Sequence, residues 1–425
     1  MSQPKQAVVL IHGVGEQVPM DTLRDFVRAV WRTDTAVHNP YVPGQVWSKP
    51  DEVSQNYELR RLTTTEGKNG KRTDFFEFYW ADLMEATEVK HVAAWAALLL
   101  FRSPARVPRQ LRGLWWTIAV LAVVVPLWTL LCSFGVIRIP PVWATILGVI
   151  GAVVWLAASK FLIEVAGDAA RYLHVAPPNI ARRRKIRDAG IELLERLHSS
   201  GKYDRIVLVG HSLGSVIGYD ILRYLWPRYN TAHAANIRNG STPAQDRLEA
   251  LAASPGLSVD EYQAGQVAYA AELDQAGNKW LVSDFVTLGC PLAHASFLLA
   301  RKAAEFEIKK LGRELPSCPP FLETVKGGRR FSYPLDKAWV PHHAAVFGPT
   351  RWTNLYFPCR FTLWGDVIGG PVQPAFGPGV RDVPVETDIR GGIFSHTVYW
   401  TFPDDTESDE APDHIAAVRR ALQLG

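Results

Sequence analysis

Between residues 113 and 159 the chain carries a single charged side chain. Residues 113–137 are 25 positions without a charge, residues 139–159 are 21 more, and only Arg138 stands between them. About 20 apolar residues suffice to cross a bilayer core of about 30 Å. Soluble helices seldom run that far without a charge. Pro140 and Pro141 cannot continue a helix. The pattern therefore predicts a tight hairpin of two transmembrane helices, about 113–137 and 139–161, within an insert of residues 91–174. Trp115, Trp116 and Trp143 lie near run ends, where interfacial aromatics are favoured. A buried helical pair in a large soluble domain is the competing reading.

The flanks give an orientation. Arg102, Arg106, Arg109 and Arg112 precede the hairpin, and Lys160, Arg171, Arg182, Arg183, Arg184, Lys185 and Arg187 follow it. Positive residues stay on the cytoplasmic side. The hairpin should thus begin and end in the cytoplasm, with the rest of the protein on that face of the inner or plasma membrane. The shorter run from Val92 to Phe101 is too short to span, and fits an interfacial helix or a core helix equally well. Met1 to Gln6 lacks the basic and apolar regions of a signal peptide.

Outside the insert the composition is that of a folded domain, with 48% hydrophobic and 21% charged residues in 425. Lys plus Arg is 46 against 42 acidic residues, a net charge of +4, which is no balance for a nucleic-acid partner. Cys132, Cys290, Cys318 and Cys359 form no CxxC pair, so neither a metal site nor a disulfide framework is expected.

The remaining chain alternates strands and helices. Ala7–Ile11 and Arg205–Val209 are continuous apolar runs of the kind buried on both faces of a parallel sheet. Phe75–Trp80, Asp284–Leu288 and Phe361–Trp364 read as further strands. Asp21–Trp31, Ile186–Leu197, Val216–Leu225 and Asp413–Leu424 have helical spacing. The expectation is an α/β fold, a mostly parallel sheet flanked by helices, built from residues 1–90 and 175–425. The polar, Ala-rich stretch 228–280 suits a helical cap over the C-terminal edge of the sheet. Residues 313–350 read as long loops.

Gly210-His211-Ser212-Leu213-Gly214 directly follows the strand 205–209 and directly precedes a helix. In that setting G-x-S-x-G places a serine on a sharp turn at the sheet's end. The glycines admit the turn, and the helix N-terminus offers N–H groups to a developing oxyanion. Ser212 is the candidate nucleophile.

On these residues the chain resembles an α/β-hydrolase of lipase type. His12-Gly13-Val14-Gly15 resembles the oxyanion loop of lipases, and the resemblance implies an oxyanion hole made by the N–H groups of Val14 and Leu213. It also implies the triad order serine, acid, histidine. Asp366, in Trp364-Gly365-Asp366, is the expected acid, with Asp382 and Asp388 as rivals. His396 is the expected base; His342 and His343 precede Asp366 and break the order. His12, His211 and His294 are expected in structural roles. Asp284-Phe285-Val286-Thr287-Leu288-Gly289-Cys290-Pro291-Leu292 resembles the strand after the nucleophile in several lipases, with Cys290 where serine is common and packed rather than reactive. The whole pattern is similar to bacterial lipase-like proteins and more distantly to the GPI inositol-deacylase family, and the hairpin departs from the common soluble lipase plan.

The function implied is a membrane-anchored serine hydrolase acting on acyl esters of membrane lipids, with a bilayer and a lipid or other acyl ester as partners and no cofactor. A protein thioesterase, a hydrolase of soluble esters, or a catalytically silent membrane scaffold remain open, as does the oligomeric state.

Overall fold

The computed structural model describes residues 5–14, 18–32, 46–66, 71–84, 104, 107–134, 172–173, 177–231, 242–300, 302–325, 328–335, 338–360, 364–392, 395–402 and 411–424. The chain divides into two compact units. One is Met1–Gly13, Gln17–Trp80 and Arg184–Gly425; the other is Val14–Glu16 and Ala81–Arg183.

The first unit is built on an eight-stranded sheet among the described residues. Its strands are β1 (Lys5–Ile11), β2 (Val46–Pro50), β3 (Arg60–Glu66), β4 (Arg72–Phe78), β5 (Arg205–His211), β6 (Val282–Leu288), β11 (Arg351–Tyr356) and β12 (Arg381–Pro384), in the order β12-β11-β6-β5-β1-β4-β3-β2. Pairing is parallel from β12 to β4 and antiparallel at β4–β3 and β3–β2. The apolar runs predicted this. Every residue of β5 is buried, as a strand covered on both faces requires.

Helices cover the two faces. Val8, Leu10, Val207, Val209, Val286 and Leu288 form one core with α1 (Asp21–Arg32) and the C-terminal α8 (Asp413–Leu422). The other face carries α3 (Pro177–Ser199) and α4 (Leu213–Leu225). Gly218 and Gly190 let these helices come close. A Cβ on Gly218 would lie 2.8 Å from Phe285, and one on Gly190 would lie 2.3 Å from Ile221. Such contacts cannot form without displacing packed side chains.

The strand order reverses at β1. β1 has β4 on one side and β5 on the other. The chain returns beside β1 through β4, then restarts on the opposite side with β5. Ligands of open α/β sheets bind at such a reversal, outside the C-terminal ends of the strands.

The strand expected at 361–364 lies at 361–363 outside the described residues; among the described residues the sheet strand before Asp366 is β11, which ends ten residues earlier in the chain. Two other expectations are corrected. Residues 313–350 are not all loop. They carry β7 (Glu323–Val325) paired with β8 (Gly328–Arg330), and β9 (Ser332–Leu335) paired with β10 (Ala338–Pro341).

The expected cap contains α5 (Pro243–Ala253) and α6 (Val259–Gln275), but their bonds run to the starting ends of the strands. Gln266 Nε2 donates to the carbonyls of Phe347 and Thr350 at 2.8 Å each. Arg381, which opens β12, donates to Gln263 Oε1 at 2.8 Å. These helices therefore brace the strand ends opposite the C-terminal edge. Leucine and tyrosine side chains on them (Leu248, Tyr262, Tyr269) are fully buried.

In the second unit, α2 (Arg109–Ser133) covers most of the first apolar run. Among the described residues no helix is long and apolar enough to cross a membrane. The second run, 139–159, and the segment 92–101 lie outside the described residues.

Candidate active site

Ser212 sits between β5 and α4 with φ 50° and ψ −125°. Few non-glycine residues adopt a positive φ, and the conformation costs about 1–3 kcal/mol. The surroundings hold it there. Ser212 N–H donates to the Leu288 carbonyl of β6 at 2.9 Å, and the Ser215 hydroxyl donates to the Gly210 carbonyl at 2.8 Å. The turn needs both motif glycines. A Cβ on Gly210 would lie 2.6 Å from the Ser215 Cα, and one on Gly214 would lie 2.2 Å from the Ile11 carbonyl oxygen.

The expected partners converge on it. The Ser212 hydroxyl donates to His396 Nε2 at 2.8 Å. His396 Nδ1–H donates to both oxygens of Asp366 at 2.9 Å. Asp366 is wholly buried. Its Oδ1 also accepts the N–H groups of Ile368 (2.9 Å) and Gly369 (2.8 Å), and its Oδ2 accepts the Tyr399 hydroxyl (2.8 Å). Burial pushes this carboxyl up, but the imidazole, the Gly369 N–H and the Tyr399 hydroxyl outweigh it and hold the group at about 2. It is a carboxylate at neutral pH. A buried carboxylate on Nδ1 fixes the imidazole as the tautomer whose free Nε2 faces the serine.

The loop carrying Asp366 turns back sharply. Arg360 N–H donates to the Trp364 carbonyl at 3.0 Å, and Gly365 has φ 92°. A Cβ on Gly365 would lie 2.1 Å from the Pro358 carbonyl oxygen. Gly289, at the end of β6 with φ 59°, lies under the pair. A Cβ there would meet Asp366 Oδ2 at 2.8 Å and His396 Nδ1 at 3.0 Å.

The rival carboxylate Asp382 is engaged elsewhere. It accepts Asn354 Nδ2 at 2.7 Å and the N–H groups of Val372 and Gln373 at 2.9 Å each. His342 accordingly takes a structural place, bonded through Nε2 to the Phe321 carbonyl at 3.0 Å. Cys290 is fully buried, and burial pushes its thiol up to about 12, so it is unreactive at neutral pH.

Leu213 opens α4, and the first N–H groups of a helix have no partner inside it. Gly13 approaches from β1. A Cβ on it would lie 3.0 Å from the Ser212 Cβ and 3.1 Å from His211 Nδ1. Val14 belongs to the second unit, so what the first unit holds of the expected oxyanion loop ends at Gly13. His12 is buried and kept neutral, lowered to about 4 by burial. Its Nδ1–H donates to the Gly13 carbonyl at 2.8 Å, and its ring stacks on Trp80 with centroids 5.0 Å apart.

Sequence reasoning missed three supports of this site: Tyr399, Gly289, and the contact of His211 with His396. His211 Nε2 is 2.9 Å from the His396 carbonyl oxygen. Tyr399 stands three residues past His396 in an aromatic run, a signal that could have been read. The histidine–carbonyl contact leaves no trace in sequence spacing. No family model matches the chain, and neither a curated protein nor a solved structure matches it.

Proposed function

We propose that the protein is a serine hydrolase of the α/β-hydrolase type that cleaves acyl esters through an acyl-enzyme. The observation that carries this reading is the unbroken chain of short bonds from Ser212 Oγ through His396 to buried Asp366. The strand order is a second support, because it puts Ser212 and Gly13 side by side at the reversal between β1 and β5.

In this reading Ser212 Oγ attacks the ester carbonyl carbon while His396 Nε2 takes the hydroxyl proton. The imidazolium so formed is stabilised by Asp366. The carbonyl oxygen, now an oxyanion, accepts an N–H bond from Leu213 at the start of α4. Collapse of the tetrahedral intermediate breaks the ester C–O bond, and His396 returns its proton to the departing alkoxide. Water, deprotonated by His396, then attacks the acyl-enzyme and releases the acid and Ser212.

We place the substrate among membrane lipids because of α2. From Gly113 to Ser133 that helix has no charge. Its side chains Trp116, Val120, Val123, Val124, Leu127 and Leu130 are exposed, and their spacing puts them on one stripe. Exposed apolar stripes of this extent mark lipid or protein contacts. Arg109 and Arg112 precede the stripe, as cytoplasm-facing or headgroup-facing cations do.

Labelling with an active-site fluorophosphonate tests the chemistry. Wild type should be labelled, Ser212→Ala should not, and His396→Ala and Asp366→Asn should label at least about 10³-fold more slowly. A wild type left unlabelled would identify a silent scaffold. Lipid analysis of membranes exposed to wild type and to Ser212→Ala tests the substrate class. Unchanged lipids, with turnover of soluble esters or of thioesters, would move the activity to those substrates.

A further inference from the structure

His211 fills the variable position before the serine of the G-x-S-x-G turn, and the reaction proposed above gives it no task. It is buried in the first unit among groups that all belong to the site. Its Nδ1 faces Gly13, which has no Cβ to keep it away. The Trp400 ring meets its ring edge-on at 4.9 Å between centroids, and the Tyr399 ring lies at 5.9 Å. Its Nε2 is 2.9 Å from the carbonyl oxygen of His396. A carbonyl only accepts, so the proton is on Nε2.

We propose that His211 is a positioning residue for His396: it donates Nε2–H to the His396 carbonyl and fixes the backbone from which the imidazole reaches Ser212. His396 lies in a single turn, Ser395–Thr397, with no strand or long helix of its own to hold it. Its backbone is otherwise tied through Ser395, whose N–H donates to the Gly365 carbonyl at 3.2 Å. The His211 bond joins that turn directly to the nucleophile's own turn. Serine and base are then set by adjacent residues of one rigid element, β5 and its exit. The ring serves here without changing charge: burial, with His396 and His12 beside it, lowers it to about 3 against the pull of Asp366. Its role should therefore be independent of pH across the working range.

The inference rests on the proposed Ser212 reaction for its kinetic readout, and on a spectroscopic one that needs no turnover. His211→Phe keeps a ring and loses the donor. His211→Gln offers an amide N–H at about the reach of Nε2, whereas His211→Asn offers one that falls short. With p-nitrophenyl esters, His211→Phe and His211→Asn should lose about 10- to 100-fold in kcat, the cost of a misplaced base, with KM and the acid-limb midpoint unchanged. His211→Gln should recover most of the loss. In ¹⁵N-histidine-labelled protein, the low-field Nδ1–H signal of His396, assigned by its absence in His396→Asn, should broaden in the Phe and Asn variants and persist in Gln. Wild-type kcat in His211→Phe or His211→Asn overturns the proposal, as does equal loss in Gln and Asn. If wild type turns over no ester, the function fails and the signal decides alone: an unchanged Nδ1–H signal in His211→Asn overturns the positioning role.

Discussion

At the scale of single residues, Ser212 shows conformational cost held at the proposed nucleophile. Its positive φ suits glycine far better than serine. Ser212→Gly should therefore unfold at higher urea, by about 1 kcal/mol in stability, while losing turnover completely. Equal or lower stability would mean the turn imposes no strain on the serine. Glu77 offers a second test. It is buried on β4, Oε2 accepts the Met20 N–H at 2.8 Å, and Oε1 has no hydrogen-bond partner among the described residues. Burial raises it from 4.5 to about 7, with Asp21 adding to the rise against the Met20 N–H and Arg24. The folded protein thus binds this proton more tightly than the unfolded chain. Its contribution is favourable below pH 4.5, declines between 4.5 and 7, and is lost above, a loss of about 3 kcal/mol. Glu77→Gln, which can still accept from Met20, should be more stable than wild type at pH 8 and no different at pH 4.5. Identical unfolding midpoints at both pH values would refute the buried, shifted carboxyl. The three site residues were legible because G-x-S-x-G, a late Asp and a later His carry their order in the chain. The supports were not, because His211 acts on a backbone carbonyl and Tyr399 on a carboxylate, and any residue of suitable reach could do either.

At the scale of elements, the strands with unbroken apolar runs were readable and the partly exposed ones were not. β1, β5 and β6 are buried nearly throughout, so their composition alone marks them. β2 is exposed along four of its five residues, and β12 is four partly exposed residues, so neither bears a hydrophobic signature. The helices of 243–275 were readable as helices but their location was not. Polar, broken patterns are shared by lids and by braces, and only tertiary bonds separate them. Gln266 is buried and its amide holds two carbonyls just ahead of β11. Losing it takes the amide donor from the Thr350 carbonyl at about 1–3 kcal/mol, while the Phe347 carbonyl keeps the Tyr262 hydroxyl at 3.1 Å. Gln266→Ala should lower the unfolding midpoint accordingly, with any ester kcat/KM and chain-length preference of the folded protein unchanged. A shifted chain-length preference with unaltered stability would restore the helices to a gating role.

At the scale of the whole molecule, the described sheet and the Ser212–His396–Asp366 chain lie wholly in the first unit, within residues 5–13, 17–80 and 184–424. The insert therefore adds a property rather than a part of the core. What it adds depends on what covers the α2 stripe. Val123 is 64% exposed and Leu127 is 51% exposed, and both sit mid-helix, where water contact brings no compensation. If a bilayer covers them, each buries apolar surface at about 25 cal/mol per Å², or about 1.5–3 kcal/mol per side chain. Charged replacements at bilayer depth cost about 2.5–3.5 kcal/mol apiece on insertion scales. Val123→Glu with Leu127→Glu should thus shift the protein from the membrane pellet to the supernatant of a carbonate wash. Fluorophosphonate labelling and turnover of a soluble ester should persist in that supernatant. Turnover of lipid in vesicles should fall with the membrane-bound fraction, because the loss is one of encounter and not of chemistry. Wild type recovered wholly in the supernatant would remove the membrane from the account. A double variant that stays in the pellet while remaining active would mean that α2 is covered by protein, and that any membrane attachment lies elsewhere in the insert.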